Sequence, residues 1–258
     1  MKKNNSKEIY INSNICCDRI AIVENEALVE LHVDFPNQDK LVGNIYKGIV
    51  QNVIPGMQAS FIDINYETNA FLPFSEIGNN ENLANLSFSD NSNKNNNFKS
   101  SKNKFLRFNP DKDLSIGDEI IVQVIKEPFA GKGARVTTDI SFPGTMMVLV
   151  PKVNFIGISR KIRDKYEKRR LRKIIENFKP KDCGIIVRTI AEGKNEEILF
   201  NDFDRLNKQW KICDKKSSQK VVPNLLYSDL SVSDQVIRDL FNKEITNILV
   251  DSKQTFKI

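Results

Sequence analysis

From Gly78 to Lys104 the sequence is dense in Asn, Ser and Lys. Such a stretch cannot bury enough apolar surface to offset the entropy of ordering it, so it reads as a disordered insert. Its flanks are strand-like. Before it come Gly43 to Val53, a Pro55-Gly56 turn, Ala59 to Ile64 and Asn69 to Pro73; after it, Ile116-Gly117-Asp118-Glu119 leads into Ile120 to Ile125. These short strands with Gly-rich turns, broken by one loop insertion, suit a small barrel such as the OB-fold, whose strand count is five. Some other small β-barrel or sandwich fits the same pattern.

Ahead of this region, Ile9 to Ile11, Arg19 to Glu24 and Ala27 to Val33 read as three strands, the last two joined tightly by Asn25-Glu26. Beyond it, after Ala130-Gly131-Lys132-Gly133, the segments Val136 to Ser141, Met146 to Pro151 and Gly184 to Thr189 are strand-like. Arg163 to Phe178 is predicted helical, with Tyr166, Leu171, Ile174, Ile175 and Phe178 as its apolar positions and a basic opposite face. Further helices are expected from Glu196 to Asp214 and from Ser233 to Phe241, and a terminal strand ends at Val250. The fold class is thus mixed α+β.

The 258 residues are 40% hydrophobic, enough for real cores, and carry a net charge of +6, a lean toward anionic partners. The four cysteines, at 16, 17, 183 and 213, have no zinc-site spacing, and the chain reads as reduced and intracellular. His32 lies in a strand pattern and reads as structural. No metal site is expected. Met1 to Lys7 lacks a signal-peptide core, and no apolar run reaches membrane-spanning length. Heavy use of Asn, Lys and Ile hints at an AT-rich genome, so a plastid (chloroplast stroma) or a bacterial cytoplasm is the expected location.

Several motifs, in order along the chain, resemble the ribonuclease E/G family. They include Leu41 to Gly48, Pro55 to Ile64, Ile121 to Pro128, Gly131-Lys132-Gly133-Ala134, Thr137 to Ser141, Gly157-Ile158-Ser159-Arg160 and Ile186-Val187-Arg188-Thr189. The resemblance implies a ribonuclease H-like α/β subdomain in two pieces, residues 1–40 and 200–258. Residues 41–128 would be an inserted S1-like OB-fold barrel carrying the 78–104 insert. Residues 129–199 would be an α/β sensor for an RNA 5′-monophosphate. The implied partner is single-stranded RNA, preferably 5′-monophosphorylated.

The resemblance also singles out residues. Phe61 and Phe71 would stack on unpaired bases, since a flat aromatic offers every base a π-face; core packing is the competing reading. Lys132, between two glycines, would reach a phosphate, or is an ordinary solvated lysine. Arg188 and Thr189, with Gly144 and Val148 as neighbours, would hold the 5′-phosphate through a guanidinium and a hydroxyl. A strand-end arginine paired to a carboxylate is the alternative. The basic helix from Arg163 to Lys173 is favoured as a solvated face.

The family cuts RNA with paired carboxylates that hold Mg²⁺, in a DNase-I-like subdomain following the terminal strand. That subdomain and the family's zinc link are not expected within these 258 residues. No catalytic residue is therefore assigned here, and no cofactor for this chain. Single-stranded RNA binding with 5′-monophosphate sensing is the expected function. The alternative is an active endonuclease whose catalytic subdomain comes from a separate chain or a downstream frame.

Overall fold

The computed structural model describes residues 6–35, 40–78, 114–229, 238 and 245–252. The insert from residue 79 onward and, but for Arg238, the helix expected over Ser233 to Phe241 lie outside the described residues. The chain divides into two compact units, residues 1–40 with 229–258, and residues 41–228.

The first unit is a four-stranded sheet. Strands β1 (Lys7–Ser13), β2 (Asp18–Glu24) and β3 (Ala27–Asp34) form an antiparallel meander, and β14 (Ile245–Val250) adds in parallel beside β1, giving the order β14-β1-β2-β3. Asn25 and Glu26 both have positive φ (51° and 67°), the backbone twist that a two-residue hairpin turn needs. Alternation buries Ile9, Ile11, Ile20 and Ile22 on one face of the sheet.

The second unit contains the barrel. Its strands are β4 (Ile45–Ile54), β5 (Ala59–Asp63), β6 (Ala70–Pro73), β7 (Glu119–Lys126) and β8 (Arg135–Thr137). They pair in the order β4-β5-β6-β8-β7, and β7 closes back onto β4. This is a closed five-stranded barrel of OB type. Val50, Ile62, Leu72, Val122 and Val136 fill its interior. The fifth strand, β8, comes after residue 128. β8 lies seven or more residues past it, and Phe71 N donates to Ala134 O (2.7 Å) where β6 meets β8.

Next to the barrel within this unit is a second sheet, of order β11-β12-β10-β9: β9 (Phe142–Pro143), β10 (Met147–Pro151), β11 (Ile156–Ile158) and β12 (Cys183–Val187). Helices α1 (Lys165–Phe178) and α2 (Glu196–Ser217) pack on it, and β13 (Asn224–Tyr227) pairs with β4. The shared core includes Phe142, Met147, Leu149, Ile185, Leu171 and Phe203.

Helix α1 begins where Asp164, in an extended conformation, caps it by accepting from Tyr166 N (2.8 Å). Tyr166 was expected on the apolar stripe but is 80% exposed. It is five residues before Leu171, so at about 100° per residue it points roughly 140° away. Leu199, Phe203 and Leu206 place α2 against β9 and β10. Residues 200–228 therefore pack within the 41–228 unit, and the residues grouped with 1–40 resume at Asp229. Among the described residues, no helix is long and apolar enough to cross a membrane.

Candidate nucleic-acid interface

Phe61 on β5 and Phe71 on β6 are directly paired across the ladder. Their rings meet edge to face, with centroids 5.9 Å apart. Both are partly exposed, while their strand neighbours Ile62 and Leu72 are fully buried in the barrel interior. Strand alternation thus turns the two rings to the outside. The interior is filled without them, by Ile62, Ile64, Ala70 and Leu72 among others.

Lys132 lies just before the chain returns to β8. Phe129 and Lys132 exchange both backbone hydrogen bonds (3.1 and 3.0 Å), closing a tight hairpin with Ala130 and Gly131 at its tip. Both tip residues have positive φ (50° and 75°). Lys132 is exposed. Gly133 then passes so close to β6 that a Cβ there would lie 1.8 Å from the Asn69 carbonyl oxygen. Glycine at 133 is what lets the lysine hairpin lie against the strand that carries Phe71.

The second cluster forms at one end of the β10–β12 pair. Met147 faces Val187 and Val148 faces Ile186 in the ladder, so Arg188 and Thr189 emerge just past it. Arg188 Nη1 donates to the Gly144 carbonyl (2.7 Å), and its backbone N–H donates to Met146 O (2.8 Å). Thr189 and Ser159 share a hydroxyl–hydroxyl bond of 2.8 Å. Gly144, Arg188 and Thr189 are therefore drawn together. Val148 sits partly buried in the adjoining strand.

Three residues that support this cluster were not singled out from the sequence. Asp202, only 8% exposed, accepts from the backbone N–H groups of Met146 (2.8 Å) and Met147 (3.2 Å), and pairs with Arg205 (2.8 Å). It fixes the turn whose carbonyl holds Arg188. A Cβ on Gly144 would come within 2.6 Å of Asp202 Oδ2 and 2.8 Å of Leu206 Cδ1, so the glycine is needed for helix α2 to approach. The readable signal is spacing: Leu199, Asp202, Phe203 and Leu206 fall at i, i+3, i+4 and i+7, which puts a carboxylate on a buried stripe. Ser159, already within a recognised motif, orients Thr189. Glu167 is the third. It accepts two bonds from Arg170 (both 2.7 Å) and one from Gly193 N (2.8 Å), while Arg170 also donates to Lys194 O (2.8 Å). Hydrogen bonding from the Arg170 guanidinium holds the Glu167 carboxyl well below the usual range, at about 2. This clamp ties α1 to the loop that follows Thr189.

Arg170, expected on a solvated basic face, stays half-exposed while bonding to Glu167 and to the Lys194 carbonyl. Among the described residues, no three His, Cys, Asp or Glu side chains are grouped so as to hold a metal ion.

Residues 40–137 match the model of the S1 RNA binding domain, which spans the barrel including β8. The closed barrel of this strand order is thus an S1 RNA binding domain. Residues 141–258 match the model of the ribonuclease E/G family. The chain belongs to the ribonuclease E/G family. It is 32% identical over 251 residues to ribonuclease G of Escherichia coli strain K12, covering 97% of this chain and 48% of that protein. Ribonuclease G of Haemophilus influenzae is 34% identical over 238 residues (92% of this chain, 46% of that protein). Ribonuclease E of a Nostoc species is 32% identical over 217 residues (84% and 28%). The chain thus spans about half the length, or less, of these relatives.

Proposed function

We propose that the chain binds single-stranded RNA on its barrel and recognises a 5′-monophosphate at Arg188 and Thr189, within a ribonuclease E/G-type system of RNA processing and decay. The observation that carries this reading is the Phe61–Phe71 pair, two rings held outward by strands whose inner faces already complete the core. Sequence-tolerant stacking of bases on such rings contributes about 1–3 kcal/mol each. Lys132, exposed on its hairpin, is positioned to meet the phosphate backbone. At the second cluster the Gly144 carbonyl accepts from the Arg188 guanidinium, Asp202 holds the turn that follows Gly144, and Thr189 adds a hydroxyl. Val148 contributes from the adjoining strand.

Phe61→Ala is expected to weaken binding of a 5′-hydroxyl single-stranded oligonucleotide about tenfold, with an unchanged thermal unfolding curve. Fluorescence anisotropy and circular dichroism measure the two. Equal loss of fold and of binding would return Phe61 to the core.

A second reading is favoured by the kinship with ribonucleases G and E and by the share of their length that this chain matches. In it, the chain works as one part of a Mg²⁺-dependent RNA endonuclease whose catalytic subdomain is carried by a separate chain or a downstream frame. Incubation of the purified chain with A/U-rich single-stranded RNA and Mg²⁺ decides between the two: binding without cleavage is expected. Cleavage by this chain alone would make it the enzyme itself. We place it in a plastid stroma or a bacterial cytoplasm, a location supported by the Asn, Lys and Ile usage and by bacterial relatives that include cyanobacteria.

A further inference from the structure

We infer that Phe129 is a third base-stacking platform, which together with Lys132 holds one further unpaired nucleotide of the same RNA strand. This rests on the RNA-binding reading of the barrel and extends it to a cleft outside the Phe61–Phe71 pair. Phe129 is 82% exposed, far more than a ring of its size needs for packing. It is not on a loose loop. The Phe129–Lys132 hairpin is closed by two backbone hydrogen bonds around a turn with two consecutive positive-φ residues, which fixes the direction of both side chains.

Directly opposed residues in such a pair project on the same face, with Cβ atoms about 5 Å apart. The hairpin therefore presents a ring and an ammonium side by side, the two groups that a nucleotide needs for its base and its phosphate. Facing them is the loop that joins β5 to β6. Tyr66, Glu67, Thr68, Phe129 and Lys132 line a cleft of about 170 Å³. That is well under the roughly 300–1,000 Å³ of pockets that enclose larger ligands, so the cleft suits a single planar base. Tyr66, itself partly exposed, offers a second aromatic surface. The Glu67 carboxylate can accept from a base's exocyclic amino group.

The cleft adjoins the Phe61–Phe71 pair through the chain itself. Asn69, which Gly133 touches, is two residues from Phe71. Thr68 is three residues from it, so at the usual strand rise the cleft begins roughly 10 Å from the first platform. A site of about 4–16 nucleotides per barrel leaves room for a third base there.

The test uses the full chain and a 5′-hydroxyl oligocytidylate of about ten nucleotides, whose bases carry the exocyclic amino group that Glu67 can accept from, so that 5′-phosphate recognition plays no part. Affinity is measured by anisotropy for the intact chain, Phe129→Ala, Phe129→Trp and Phe61→Ala. Phe129→Ala is expected to bind about tenfold more weakly, Phe129→Trp to bind at least as tightly as the intact chain, and both to keep the thermal unfolding curve. If Phe129→Ala binds like the intact chain while Phe61→Ala is weakened, the platform is overturned and the barrel reading stands. If the intact chain does not bind, both fall together. If Phe129→Ala and Phe129→Trp lose affinity equally, the ring is not stacking and the inference is overturned.

Discussion

Replacing Arg188 with alanine is expected to erase any preference for a 5′-phosphate. The intact chain should bind a 5′-monophosphorylated oligonucleotide about ten- to hundredfold more tightly than its 5′-hydroxyl counterpart. That range corresponds to the roughly 1.5–3 kcal/mol carried by hydrogen bonds to a charged group. In Arg188→Ala the phosphorylated ligand should fall to the affinity of the hydroxyl one, which itself should barely change. Arg188→Lys should keep only part of the preference, because a lysine supplies charge without the planar fork of donors. The comparison is internal to each variant, so a modest loss of stability does not obscure it. An Arg188→Ala chain that still prefers the phosphorylated end would remove Arg188 from phosphate recognition. An intact chain indifferent to the 5′ end would remove the sensor altogether.

The largest structural effect is expected at Gly133. Its φ is not in the left-handed region, so the demand there is one of space. A methyl group would overlap the Asn69 carbonyl oxygen at 1.8 Å and approach the Asn69 carbonyl carbon at 2.8 Å. Both are backbone atoms that cannot swing aside. Gly133→Ala must therefore push apart the strands that meet at Phe71 N and Ala134 O, where the barrel is joined between β6 and β8. The cost should be about 3 kcal/mol or more, at the upper end for overpacking, or a fall in melting temperature of roughly 10 °C. RNA affinity should fall with it, since Phe71 and the Lys132 hairpin lie on either side of the junction. A melting temperature within a degree or two of the intact chain's would show that the junction yields more easily than its geometry implies.

The fold was legible in the sequence where a segment was long enough to show a period. The alternation in Ile9 to Ile11, Arg19 to Glu24 and Ala59 to Ile64 marks strands, and each forms one. β8 was not legible as the strand that closes the barrel, because three residues carry no period and, beyond its neighbour β7, it joins β6 at Phe71, more than sixty positions away. Helix α2 was visible, but not its allegiance. An apolar stripe shows that a face is buried and does not show against what, and here the partners are β9, β10 and β13.

The candidate site divides in the same way. That Phe61 shares a face opposite to Ile62 followed from alternation alone, whereas which face is interior required the closed barrel. Arg188 and Thr189 stood out only through the family resemblance, since an arginine at a strand end usually has a local structural role. Asp202 was hidden because it works through backbone N–H groups more than fifty residues away, which no local pattern records. Phe129 carries no signal in the sequence because one aromatic beside a glycine-rich turn is common, and only its exposure across from Lys132 sets it apart.

The parallel pairing of β1 with β14 bears on how the chain is made. Lys7 and Thr246 are hydrogen-bonded across 239 positions. At about 5–20 residues per second, a ribosome needs on the order of ten seconds or more to deliver the second partner after the first. The β1–β2–β3 meander must wait through that interval with one edge unfilled, while the whole 41–228 unit is synthesised and can fold. Contacts of such sequence separation form slowly. The waiting edge is thus a natural place for a chaperone to bind during translation, and a natural starting point for mispairing when none is at hand.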